Sequence, residues 1–284
     1  MKVAIWTFVR LTLREASRSR LLALAGALTL LYVGLIAWGM AKLAENMHDA
    51  IGAFTAGAGL EVLAFFGGSF MLTLLAVFVS GHSTHQEGDG GLLQAILTKP
   101  VRRFDVLAGR WLASALILAV WVALFTAGLI WSVGVQVGYY PSHPWLAGGL
   151  LLLSALVMLS LRLLCGAFLG TLASGIVPLL VWGLAWMGGM VETVGHALKV
   201  DAMVNGGILT SLLIPTDAVW RGASYFLLPQ VSSLASTVVG VSDPARGVPF
   251  FGVDPIATPM VVWAILYTAA AFLAGAAIFS RRDL

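Results

Sequence analysis

His82, His85, Glu87 and Asp89 stand within eight residues of one another, and all four side chains can bind a metal or move a proton. The HxxH spacing would set both imidazoles on one helical face, as a divalent-metal site requires. Gly88, Gly90 and Gly91 follow at once, and no other His or Cys is close. A helix there has little length and a metal too few ligands, so a polar helix end is the stronger reading and no metal ligand is assigned. Nucleotide chemistry is also missing. Of the four lysines none follows a glycine, and nothing matches GxxxxGK[ST], so the chain cannot hydrolyse ATP by a phosphate-cradling loop. The single cysteine, Cys165, lies in an apolar run and excludes an internal disulfide and a Cys-based metal site. We assign no catalytic residue and no cofactor bound by this chain.

The same segment, from His82 to Arg110, carries a second pattern. After Glu87 and Gly91 come Leu92, Leu93, Ile96 and Leu97 at helical spacing, and Pro100 ends the turn. Arg102 and Arg103 follow, and Arg110 precedes Trp111. A short helix with one apolar side can press into a groove or a membrane. Apolar runs flank the segment on both sides, Leu60–Gly81 and Trp111–Gly138, so it is a polar loop held against a bilayer surface. Force or information from the aqueous phase would enter here.

Those runs belong to a chain of 284 residues that is 60% hydrophobic and 10% charged, with mean hydropathy +0.96. Such values exclude an ordinary soluble domain, and a net charge of +3 is too small for a nucleic-acid binder. About 20 apolar residues cross the ~30 Å of hydrocarbon in a bilayer. Six runs qualify: 21–41, 60–81, 111–138, 145–169, 171–190 and 259–279. Trp38, Trp111, Trp131, Trp145 and Trp263 lie toward run ends, as an aromatic belt would place them. The first run has no clear small-residue cleavage site and reads as a retained span. With the N-terminus inside, twelve of the sixteen Lys and Arg residues fall on the inner side, which predicts that both termini are cytoplasmic.

Residues 1–20 predict a helix before the first span, with Arg10, Arg14 and Arg18 on one face and Ile5, Val9, Leu13 and Ala16 on the other. That pattern suits a helix lying in the inner interface, its arginines toward anionic lipid headgroups. The chain from 21 to 284 reads as one transmembrane domain, with 82–110 as its cytoplasmic loop and 191–258 as its largest outer loop. Within the outer loop, Pro215, Thr216 and Asp217 resemble a helix start, with Thr216 or Asp217 as N-cap. Short amphipathic helices against the outer surface are expected, followed by a Pro-rich irregular stretch. A hidden seventh span over 209–228 competes, but it would put Arg281 and Arg282 outside. Trp220, Tyr225 and Phe226 are available to pack on a membrane or a partner. The outer loop can be a lid, a docking surface for an external protein, or a cap that shields span ends.

The sequence from Glu87 through Gly91, Leu92, Leu93, Leu97, Pro100, Arg102 and Arg103 to Gly109 and Arg110 resembles the loop between the second and third spans of ATP-binding-cassette exporter permeases of the second type. Arg110 stands where that family most often has Lys. The basic helix before the first span resembles the family's connecting helix. The outer stretch from Ile214 to Arg221, with Pro215, Asp217, Trp220 and Arg221, fits as well. The resemblance implies an all-α integral membrane protein of six transmembrane helices, with an N-terminal interfacial helix and a large outer loop before the last span. It implies a multi-pass subunit of a bacterial or archaeal inner membrane, docked through the 82–110 loop on a separate ATP-binding subunit that uses ATP and Mg. A second permease copy, identical or a close paralogue, would complete the pathway. The spans lack charged clusters, which favours an apolar, amphipathic or lipid-linked substrate. Permeases of this size in the family serve drug efflux, sodium extrusion, gliding machinery and nitrous oxide reductase maturation, and the sequence does not choose among them. A non-transporting scaffold or sensor and an ion-coupled secondary carrier stay open. Gly188–Gly189 and Pro178 are the only hints of the broken helices a carrier uses.

Overall fold

The computed structural model describes residues 2–46, 49–81, 103–228, 251–252 and 254–281. Among them the regular elements are nine α-helices: α1 Lys2–Ser17, α2 Arg20–Asn46, α3 Ala50–Gly81, α4 Arg103–Val137, α5 Pro144–Gly166, α6 Thr171–Leu198, α7 Asp201–Leu213, α8 Thr216–Leu227 and α9 Thr258–Arg281. Six of them, α2 to α6 and α9, are long and apolar enough to cross a membrane. In hydrocarbon every backbone N–H and C=O must be satisfied within the segment, which is why long apolar runs become helices. The protein is an all-α, multi-span integral membrane protein. Successive spans alternate in direction. The start of α2, the end of α3, the start of α4 and the end of α9 therefore share one face, here called proximal, while α7 and α8 belong to the opposite, distal face.

α5 is the axis of the bundle. It packs on α3, α4, α6, α8 and α9, and 56% of its membrane-length window is buried, against 0% for α2 at the edge. The core joins Phe65, Leu72 and Leu75 of α3 to Leu118 and Phe125 of α4, and to Leu151, Met158 and Leu159 of α5. Three hydrogen bonds cross it between spans: Trp111 Nε1 donates to Ser160 Oγ, Trp121 Nε1 to Thr29 Oγ1 and Tyr32 OH to Ala64 O, each at 2.9 Å. Such bonds add specificity where water cannot compete.

α2, α3, α4 and α6 all extend well past their apolar runs, and α3 and α6 show why. α3 begins at Ala50, ten residues before the run that marks it, because Phe54 packs edge-on to Tyr139 at 5.0 Å and Gly57 abuts Val137. α6 continues to Leu198 through Pro178 and Gly188–Gly189 without a break, so the glycines do not interrupt it as a carrier's broken helix would. At 1.5 Å per residue its 28 residues span roughly 42 Å, longer than the hydrocarbon core. The excess stands at the distal face. α6 ends at Lys199, whose φ of 57° gives a left-handed cap, and α7 returns antiparallel along it.

Candidate functional site

α7 and α8 meet at a 97° bend around Ile214 and Pro215, so 209–228 is not a straight seventh span. Proline at 215 removes a backbone donor and fixes φ, which ends one helix and starts the next. Pro215 itself holds the N-cap position, with no side-chain cap bond. Thr216 and Asp217 are therefore the first residues of α8 and not its cap. Asp217 lies one turn from Arg221, and helix geometry brings them together.

α8 does not lie on the surface. It inserts among α3, α5 and α6 and buries Thr216, Asp217, Val219, Trp220, Ala223 and Leu227. Trp220, 4% exposed, sits 5.4 Å from the Phe66 ring and so is not available to a membrane or a partner. Phe66 also stacks on Trp186 and meets Phe251. Tyr225 and Phe226 remain half-buried. Small residues permit this insertion. A Cβ at Gly189 would strike the Asp217 carboxylate, and one at Gly188 the Thr210 hydroxyl. Gly207 of α7 lies against Glu192 in the same way.

An ion-pair chain links the two elements. Arg221 Nη2 donates to Glu192 Oε2 of α6 at 2.7 Å, and Arg221 Nε lies 3.0 Å from Asp217 Oδ2. The second contact is off-axis, an ion pair more than a hydrogen bond, and leaves Asp217 Oδ2 and Arg221 Nε without a well-aligned partner. Burial pushes the Asp217 carboxyl up to about 6 despite the opposing pull of Arg221. Tyr139, from the turn after α4, donates to Leu227 O at 2.5 Å and locks the far end of α8. Ser224 Oγ accepts from Gly252 N at 2.8 Å. Trp263 Nε1 donates to Leu212 O at 2.9 Å, which ties the start of α9 to α7.

A raised carboxyl pKa makes protonation favour the folded state. The corresponding stability is fully present below about pH 4 and is lost as pH rises through about 6. Lowering the pH from 7 to 5 should thus stabilise the native protein relative to Asp217→Asn, by roughly 1–2 kcal/mol. Thermal midpoints of both proteins across that range test this. Parallel curves would show that Asp217 is not titrating there.

At the proximal face the arginines separate cleanly. Arg10 and Arg14 project from the exposed side of α1, and Arg18 is exposed in the turn just past its end at Ser17. The opposite side does not rest on lipid. Phe8 and Val9 are buried against α4, and Gly109 makes the crossing possible: a Cβ there would come within 2.6 Å of Phe8 Cβ and 2.9 Å of Ile5 O. Trp6 and Leu11 stay exposed. Arg110 is buried at 8% exposure in the first turns of α4. Glu87, Gly91, Leu92, Leu93, Ile96, Leu97, Pro100 and Arg102 lie outside the described residues, as does the side chain of Arg103.

Sequence reasoning missed Glu192, beyond the run that ends at 190, and Glu61, the second residue of the 60–81 run. Glu61 is the twelfth residue of α3, roughly 16 Å along it, fully buried, with neither carboxylate oxygen hydrogen-bonded. Arg162 is 3% exposed, with Nε and Nη1 also lacking partners. Ionisable groups so placed in a membrane are costly, and functional by default. The Asp217–Arg221 spacing after Pro215 was the available signal for the ion-pair chain.

The fold defines a multi-span helical membrane protein. Over 116 residues, 40% of this chain and 40% of the relative, it is 33% identical to a protein named probable ABC transporter permease protein NosY from Pseudomonas aeruginosa. It is 29% identical over 120 residues, 42% of each chain, to a protein of the same name from Stutzerimonas stutzeri. The chain thus spans about 40% of the length of the curated relatives it matches. No family model matches it. In sequence it resembles ABC transporter permeases.

Proposed function

We propose that this chain is the permease subunit of an ATP-binding-cassette exporter, driven by a separate cytoplasmic ATPase. The observation that carries the reading is the likeness to two proteins named probable ABC transporter permease, on a chain with six membrane-length helices. Two copies, identical or closely related, flank the pathway, and an apolar, amphipathic or lipid-linked substrate moves outward. The proximal face is cytoplasmic and the distal face external. The sequence count supports that orientation, since it assigns twelve of sixteen basic residues to inner segments. Residues 82–110 receive the ATPase, with Leu92, Leu93, Ile96 and Leu97 as apolar anchors and Glu87, Arg102 and Arg103 as polar contacts. α1, packed on α4 beside that segment, braces the receiving end.

Replacing Leu93 or Ile96 with Asp should lower co-purification of the ATP-binding subunit by about tenfold, the scale of a lost interface anchor. Membrane insertion should be unchanged. Undiminished association and transport in both variants would sink the docking model. Glu61 supports a second reading, an ion-coupled carrier, because a buried unpaired carboxyl can hold a coupling ion. Transport that survives ATP depletion and disappears in Glu61→Gln would replace the ATP-driven reading.

A further inference from the structure

A cavity of about 480 Å³ opens at the distal face between α6, α7, α8 and the start of α9. That volume is in the range of small-molecule sites. It lies on the opposite face from the start of α4 and borders the packed core through Phe251. Glu192 and Asp254 bring two carboxylates to its wall, and Arg221 brings one cation. The Arg221 charge is already shared between Glu192 and Asp217, leaving the site net negative. His196 lies at the rim. Phe251 offers an aromatic face, and Met260 contributes apolar surface. Ser211 Oγ, on the same wall, is buried at 5% exposure and has no hydrogen-bond partner. Buried hydroxyls are normally satisfied, and a ligand donor would satisfy this one. Among the described residues no three His, Cys, Asp or Glu groups converge as a metal site needs, which leaves organic cations.

We propose that this cavity is a binding site for a small organic cation with an apolar body, such as a primary alkyl- or arylammonium. Its ammonium group is held between Asp254 and Glu192, donates to Ser211 Oγ and rests against the Phe251 ring. Its apolar end lies toward Met260. Carboxylates and aromatic faces recognise ammonium groups together, and half-enclosure strengthens both attractions. The site does not depend on ATP coupling or on the direction of transport.

The test is calorimetric titration of the full chain, in discs of zwitterionic lipid, with phenethylammonium and its uncharged isostere 2-phenylethanol. The ammonium should bind saturably, with Kd below about 1 mM and about tenfold tighter than the alcohol. Asp254→Asn removes a charge outside the Arg221 ion pairs and should weaken binding about fivefold. Met260→Trp, which fills the cavity, should abolish saturable binding while helicity is unchanged. Equal affinity for ammonium and alcohol would overturn the proposal. So would wild-type affinity in Asp254→Asn or in folded Met260→Trp.

Discussion

Arg221→Met should destabilise the protein by about 3–5 kcal/mol, more than any other single exchange in the distal assembly. The guanidinium lies between Glu192 and Asp217, whose side chains are 14% and 5% exposed. Removing it leaves two largely buried carboxylates close together, each repelling the other and neither compensated. The loss is larger than the net worth of the ion pairs, because an uncompensated buried charge costs more than the pair contributed. Two further variants separate these effects. Arg221→Lys keeps the charge but not the forked donor geometry and should recover part of the stability. The triple exchange Glu192→Gln, Arg221→Met, Asp217→Asn removes every charge and should recover most of it. Thermal unfolding in detergent gives the ordering, expected as native, triple, Lys, Met. An Arg221→Met midpoint equal to the native one would show that the chain of charges does not hold α8 in place.

The spans were readable because their signal is coarse: backbone polarity forces helix on any apolar run of sufficient length. The extra turns of α3 and α6 were hidden for a related reason. Residues 50–59 hold three glycines and a threonine, which lower helix propensity and hydropathy, and so read as loop. Packing of Phe54 on Tyr139 outweighs that weak preference. Gly188 and Gly189 look like interruptions, yet their missing side chains admit Thr210 and Asp217. A glycine's sequence context does not say whether it frees the backbone or makes room for a neighbour. Trp220 failed for a similar reason. An aromatic residue between apolar runs fits a surface anchor and a core wedge equally, and only the partner, Phe66, decides.

On the distal side the sequence marked Pro215, Asp217 and Arg221, residues whose helical spacing is local. It could not supply Glu192, 29 positions from Arg221 and joined to it only by the return of α7 along α6. The cavity is also non-local, since its walls come from four helices and the strand of chain before α9. The arginine face of α1 was legible from periodicity, but its apolar face had two equally good partners, lipid or protein. Gly109 is the residue that favours protein.

Gly109→Leu should release α1 from α4 and, if the proposed docking at residues 82–110 holds, abolish coupling to the ATPase. The missing side chain at 109 is what lets the two helices touch, since even a bare Cβ would lie 2.6 Å from Phe8 Cβ and 2.9 Å from Ile5 O. The second of these is backbone, so no rotamer change relieves it and α1 must move away as a body. Gly109→Ala should therefore already cost about 1–3 kcal/mol of α1 docking, although alanine is the better helix former. Leucine would drive the helices further apart and expose Phe8 and Val9, both now buried. A cysteine at Val9 reports this directly, protected from a soluble thiol reagent in the parent and labelled in the Gly109→Leu background. ATPase stimulation by substrate should fall in parallel, because a loosened α4 start cannot pass the displacement of the docking segment into the bundle. The remainder of the bundle rests on α3, α4 and α5, so the Trp111–Ser160 bond and membrane insertion should persist. Continued protection of the cysteine together with full coupling would mean that α1 is only a basic flank, and that the close crossing at Gly109 has no part in transmission.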